Sequence, residues 1–181
     1  MADNELDRLA EQVAPKRDFD PPPLHLWDPP LSGDIPIRIE PDGSWYHDGG
    51  LIKRDSLVRL FASILRREQD GEYYLVSPVE KWRIEVALHP LLVVDVDRVG
   101  EGDDTVLLAT LNTGSRVAIG EHNRLFLETA LDSVAALTLP HGLSALFTRA
   151  AWYRLVDMAE GEGGECTVSS GGVSFDLGAA Q

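Results

Sequence analysis

Apolar side chains recur at two periods along this chain, and the switches between them predict most of its elements. Leu57, Leu60, Phe61, Ile64 and Leu65 stand 3, 4, 7 and 8 residues apart, the stripe of an amphipathic helix over 55–67. Asp55 suits its N-cap, and Arg66 and Arg67 suit the negative end of its dipole. Asp70-Gly71 is read as its stop. Asp55 and Arg59, four apart, are expected to pair on the outside for about 0.3–0.5 kcal/mol. Arg59 and Arg66 lie opposite the stripe and are expected to face water.

Elsewhere the period falls to 2, the mark of half-buried strands. Ile35, Ile37 and Ile39 alternate with Pro36, Arg38 and Glu40. Pro36 has no N–H for a ladder, so this strand is expected at an edge or on the outside of its sheet. Further strands are read at 44–47, 72–76, 82–86 and 91–97. The turns between them carry Asp48-Gly49-Gly50, Ser77-Pro78 and His89-Pro90. In the second half 105–111 and 116–119 are strand-like, and 166–169 with 173–177 form a hairpin around Gly171-Gly172. The short apolar pieces 125–127 and 135–139 fit either element.

Residues 143–160 read as a long helix with the stripe Leu143, Leu146, Phe147 and Ala150, followed by a glycine-rich linker at 161–164. Trp152 and Val156 project from its opposite side. A helix apolar on two faces is buried twice, here against the other domain or another copy of the chain. Leu6, Leu9 and Val13 give a short helix within 4–13. Five prolines between Pro21 and Pro30 then fix an extended arm over 20–30 that carries Leu24, Leu26 and Trp27. Packing of Leu26 and Trp27 on the protein's own surface is the preferred reading of the arm, and recognition by an aromatic groove is the alternative.

These elements imply an α+β protein: an N-terminal helix and arm at 1–30, a first roll-like domain at 31–88 and a second at 89–181. Both domains are of mostly antiparallel strands with one main helix each. Leu57-x-x-Leu60-Phe61 and Leu143-x-x-Leu146-Phe147, each near a Gly-Gly hairpin, raise a duplication as one reading of the chain.

Composition narrows the function classes. A length of 181 residues suits one ordinary domain or two small ones. The net charge of −14 argues against general nucleic-acid binding and against an anionic membrane surface, and it favours solubility. Cys166 is the single cysteine, so no internal disulfide and no cysteine-based zinc site can form within one chain. The acidic start does not resemble a signal peptide, and no apolar run has the length of a membrane span; a cytoplasmic location is expected.

Candidate chemistry is sparse. The five histidines show no pair at i, i+4; His47-Asp48 and Glu121-His122 could join a metal site built from distant segments, but turn or surface residues are the preferred reading. No phosphate loop, nucleophile elbow or dinucleotide fingerprint is present, and no cofactor is expected. The one departure is a basic stretch: between Lys53 and Arg83 seven Lys and Arg face five Asp and Glu, a local +2 in an acidic chain. Lys53 and Arg54 at a helix start, with Glu80 and Lys81 at the Ser77-Pro78 bend, are the candidate anion-site residues, because a helix N-terminus adds free N–H donors. A solvated helix face with ordinary salt bridges is the competing reading.

The pieces Gly33-Asp34-Ile35, Gly43-Ser44-Trp45, Lys53-Arg54, Leu65-Arg66-Arg67-Glu68 and the run from Asp70-Gly71 to Glu80-Lys81 carry a resemblance. Through them the chain resembles a bacterial domain-of-unknown-function family, DUF 1285. The resemblance implies two small α+β domains built from repeated motifs, and it implies ligand binding or signalling without assigning any residue a role. The expected function is accordingly a cytoplasmic ligand-binding or protein-interaction module in signalling, without catalytic activity. Its expected partner is a small anionic ligand or a protein. The first alternative is a hydrolase or transferase on a small anionic metabolite, with Glu80 as acid/base and Arg54 or Lys81 as charge partner. The second is a structural dimeric adaptor using Trp152 and Val156.

Overall fold

The structure is a computed structural model that describes residues 2–13, 21–161 and 164–179. It divides into two units, the first comprising Met1–Pro90 with His141–Leu143 and the second Leu91–Pro140 with Ser144–Gln181.

Unit 1 opens with α1 (Ala2–Val13) and the arm, then runs through a meander of β1 (Leu31–Ile39), β2 (Trp45–His47) and β3 (Gly50–Leu51). Helix α2 (Asp55–Ser63) leads to a second meander, β4 (Leu65–Arg67), β5 (Tyr73–Val76) and β6 (Lys81–Val86). β6 pairs parallel with β1, so the two meanders fuse into one six-stranded sheet in the order β3-β2-β1-β6-β5-β4. Ile35, Ile37, Ile39, Trp45 and Ile84 are buried, as the alternation requires. Leu57 and Phe61 of α2 are buried with them, the Phe61 ring 6.4 Å from that of Trp45. Leu6, Leu9 and Val13 bury the apolar side of α1.

Unit 2 repeats the plan. β7 (Leu91–Val99), β8 (Val106–Leu111) and β9 (Arg116–Ala118) form one meander, and β10 (Leu125–Glu128), β11 (Val134–Thr138) and β12 (Ser144–Phe147) the next. β12 pairs parallel with β7, giving the order β10-β11-β12-β7-β8-β9. Helix α3 (Arg149–Asp157) here follows the second meander, whereas α2 stands between the two. The hairpin of β13 (Glu165–Ser170) and β14 (Val173–Ala179) ends the chain, tied in by Ser170 Oγ, which donates to Ile119 O and accepts from Leu107 N. The repeat is therefore one of strand order, and the Leu-x-x-Leu-Phe echo does not carry it.

Five readings of the sequence change. The first helix stops at Ser63, with Arg54 as N-cap in place of Asp55, and Leu65, Arg66 and Arg67 pair with Leu75, Tyr74 and Tyr73. Asp70-Gly71 is a hairpin turn, with Gly71 at φ 84 and Asp70 Oδ1 accepting from Glu72 N, and a hairpin needs an antiparallel strand before it. β1 lies inside its sheet despite Pro36, because its register with β6 shifts between Asp34 and Arg38, so Pro36 falls in a bulge.

The long second helix is a strand followed by a helix: Ala145 and Phe147 are buried in β12, and Thr148 Oγ1 accepts from Ala151 N to start α3. Finally, the arm is anchored by Leu24, while Leu26 is 71% exposed. Arg66, with its side chain 16% exposed, does not face water. It donates to Trp27 O at 2.8 Å, Leu24 O at 3.4 Å and Glu68 Oε1 at 2.6 Å. Asp20 and the Glu162-Gly163 part of the linker lie outside the described residues.

The Arg66 clamp predicts that Arg66→Ala lowers stability by about 2 kcal/mol in urea unfolding, since bonds from a part-buried charged donor are lost. Amide exchange at Leu26 and Trp27 should accelerate more than exchange in β5. Equal protection of the arm in both proteins would contradict the clamp.

Candidate functional site

His47 begins the site. In β2 it stands opposite Ile37 and shares a face with Trp45, so the pleat turns its imidazole toward the core side of the sheet. It is 8% exposed, and its buried Nε2 has no hydrogen-bond partner. The nearest carboxylate oxygen recorded, Asp48 Oδ2, is 3.9 Å away, too far for a hydrogen bond. A buried polar atom left unpaired costs free energy, and such atoms are rare in native structures.

His47 lines a groove of about 540 Å³ together with Leu6, Asp7, Leu51, Lys53, Arg54 and Leu57. β3 and Ile52 lead the chain from His47 into α2, so the groove lies at the N-terminus of that helix. Arg54 is the N-cap in extended conformation and makes no side-chain capping bond. Leu57 N and Val58 N donate to Arg54 O, and the helix dipole adds positive potential at this end. Arg54 Nη2 holds Asp7 Oδ1 of α1 at 2.8 Å, with both side chains more than half exposed. Lys53 is exposed and makes no ion pair among the described residues.

The structure keeps Lys53 and Arg54 together and sends Glu80 and Lys81 elsewhere. Glu80 binds α1: it takes Arg8 Nη2 at 3.2 Å and Gln12 Nε2 at 3.3 Å, and it also accepts from Trp82 Nε1 at 3.3 Å. Ser77, fully buried, completes this lock by donating to Gln12 Oε1 and accepting from Glu80 N. Lys81 pairs instead with both Glu68 oxygens at 3.1 and 3.2 Å and lies 5.0 Å from the Tyr74 ring centre. Burial alone would raise the Glu68 pKa, but the bonds from Arg66 and Lys81 outweigh it and hold the carboxyl below its usual range. Tyr74 donates to Asp70, which pushes the phenol up to about 12 and lowers Asp70. Glu80 and Lys81, adjacent in sequence, thus serve two separate networks.

Trp152 and Val156 are half-buried on α3, one position on from the buried Ala151 and Leu155. The apolar side of the helix is thus one continuous face, which replaces the two-faced reading. Among the described residues no group of three or more His, Cys, Asp or Glu could hold a metal ion.

Sequence reading took His47 for a turn or surface residue, where the structure buries it, and missed the place of Leu6 and Asp7 at the groove. Alternation with Trp45 was a legible sign that His47 points inward, but the approach of α1 to α2 had no counterpart in the sequence.

Two family models match the chain: the N-terminal domain of the domain of unknown function DUF1285 over residues 22–87, and the C-terminal domain of that protein of unknown function over 90–177. The crystal structure of a DUF1285 family protein from Silicibacter pomeroyi DSS-3 is 39% identical with a TM-score of 0.84, covering 96% of this chain and 94% of its own. A DUF1285 family protein from Shewanella baltica OS155 is 30% identical with a TM-score of 0.56, covering 68% of this chain and 91% of its own. No curated protein matches.

The Tyr74–Asp70 bond predicts an alkaline signature. An unfolded tyrosine ionises near 10 and folded Tyr74 near 12, so its contribution to stability is complete below pH 10 and lost as pH rises from 10 to 12. Tyr74→Phe should remove that part of the alkaline decline and abolish a late-ionising phenol in the absorbance titration. Four tyrosines that all ionise near pH 10 in the folded wild type would refute the bond.

Proposed function

The chain belongs to the DUF1285 family, and on that footing we propose that it is a ligand-binding module, without catalytic activity, that takes a small anionic ligand in the groove at the start of α2. The observation that carries this reading is His47: a buried imidazole nitrogen without a hydrogen bond, beside a groove lined by the cations Lys53 and Arg54 and by Asp7, the carboxylate that Arg54 holds. A buried donor or acceptor without a partner calls for one, and here a bound group supplies it. Lys53 and Arg54 provide charge, with the planar fork of Arg54 suited to two oxygens of one anion. The start of α2 adds the positive end of the helix dipole.

The non-catalytic part of the reading is supported by where the candidate acid and cation went. An enzyme on an anionic metabolite needs its acid/base and charge partner to meet at one pocket. Glu80 is tied to Arg8, Gln12 and Trp82, and Lys81 to Glu68; neither lines the groove. Binding without turnover fits a sensing role, and signalling in the cytoplasm is the setting we assign. Among the described residues no helix is long and apolar enough to cross a membrane.

A thermal-shift panel of acetate, hexanoate and inorganic phosphate tests the site. At least one anion should raise the melting temperature of the wild type, and the Lys53→Ala/Arg54→Ala double variant should lose that response. Lys81→Ala, although less stable, should keep it. A full response in the double variant sinks the groove as the site.

A further inference from the structure

We infer that the ligand is a monocarboxylate with an apolar tail, which seats its head group on Arg54 in place of Asp7. This deepens the groove reading and rests on it.

Arg54 already holds a carboxylate. Asp7 Oδ1 lies 2.8 Å from Nη2, in a pair more than half exposed on both sides. Exposed pairs of this kind contribute little because water and salt compete for both partners, so the exchange of one carboxylate for another costs little. α1 does not have to leave for the exchange. Leu9 and Val13 remain buried, and Arg8 and Gln12 remain bound to Glu80.

Charge selects against a phosphate dianion. The groove has Lys53 and Arg54, but Asp7 stands on Arg54, Asp48 lies beside His47, and Asp55 is in the first turn of α2. Asp7 is the carboxylate in the lining, and Asp48 and Asp55 follow the lining residues His47 and Arg54 in the chain, so the surroundings are acidic before any ligand arrives. A ligand that displaces Asp7 takes its place on Arg54, and the freed Asp7 stays at the groove, so a second ligand charge would meet Asp7 as well as Lys53.

The walls supply the tail. Leu6 and Leu57 are buried at the groove, and Leu51 lies at its mouth with 47% of its surface exposed. A volume of about 540 Å³ is within the ordinary range of small-molecule sites, which are lined mainly by apolar side chains with a few placed polar groups. A turn of the His47 ring toward the groove would give the second carboxylate oxygen a ring N–H to accept from. Asp7 then acts as a built-in competing anion that weakens the site.

Isothermal titration of the full chain with hexanoate, acetate and inorganic phosphate, in the wild type and in Asp7→Asn, Asp7→Ala, Arg54→Ala and Arg54→Lys, separates the outcomes. Hexanoate should bind at least tenfold tighter than acetate or phosphate. Both Asp7 variants should tighten hexanoate binding by about three- to tenfold, and Arg54→Ala should weaken it at least tenfold, with partial recovery in Arg54→Lys. If phosphate binds as tightly as hexanoate and Arg54→Ala weakens both, the ligand class is overturned while the groove stands. If the Asp7 variants bind hexanoate no tighter than wild type while circular dichroism shows them folded, the displacement is overturned. If Arg54→Ala changes none of the three, or none binds the wild type, the groove reading itself falls.

Discussion

Unit 1 depends on one pairing, the parallel ladder between β6 and β1. Without it the two meanders would be separate three-stranded ribbons, each too small to bury a helix. With it they share a continuous apolar face in which Ile37, Ile39, Trp45 and Ile84 are buried, and the Phe61 ring of α2 lies 6.4 Å from that of Trp45. A parallel pair demands a long connection between its strands, and the chain uses that connection to build β2, β3, α2, β4 and β5. The same pairing tolerates Pro36, since the register shift at the bulge removes the need for its missing N–H. Unit 2 solves the same problem with β12 against β7, and only the place of the helix in the strand order differs.

Ionic groups in unit 1 mostly fasten segments to this sheet. Glu80 fastens α1 through Arg8 and Gln12, and Arg66 fastens the arm through two carbonyls while sharing Glu68 with Lys81. These part-buried networks fix position more than they add stability, because desolvation offsets much of the Coulomb attraction. They also explain the local excess of positive charge: several basic residues are internal clamps. What lies outside the clamps is the start of α2, where Lys53, a weakly held Arg54 and an unpartnered His47 adjoin one groove.

Much of this was legible before any coordinates. Alternation located β1, β2, β5, β6, β7 and β8, and the stripe located α2, because burial on one face imposes a period wherever an element is half-exposed. The candidate pair Lys53 and Arg54 was legible because it precedes that stripe. Glu80 and Lys81 were read as joining Lys53 and Arg54 in one site, but they serve separate networks away from the groove, and adjacency in sequence says nothing about which partners each side chain meets. Leu65 fits a helical stripe and a short strand equally well, and only the hairpin at Asp70-Gly71 decided for the strand. Residues 143–147 were misread for a similar reason: Leu143, Phe147 and Ala151 keep helical spacing, yet Ala145 and Phe147 are the buried pair of a strand held between β11 and β7.

The sequence by itself determined the α+β class, most strands, the position of α2 and the acidic, single-cysteine character of the chain, because local periodicity and composition are properties of the string. Tertiary structure decided where β1 sits in its sheet, which cations became clamps and that His47 is buried beside Lys53 and Arg54. Those outcomes depend on pairings between segments far apart in the chain, the β1–β6 ladder and the docking of α1. Long-range contacts are chosen by the free energy of the whole fold rather than by any local signal.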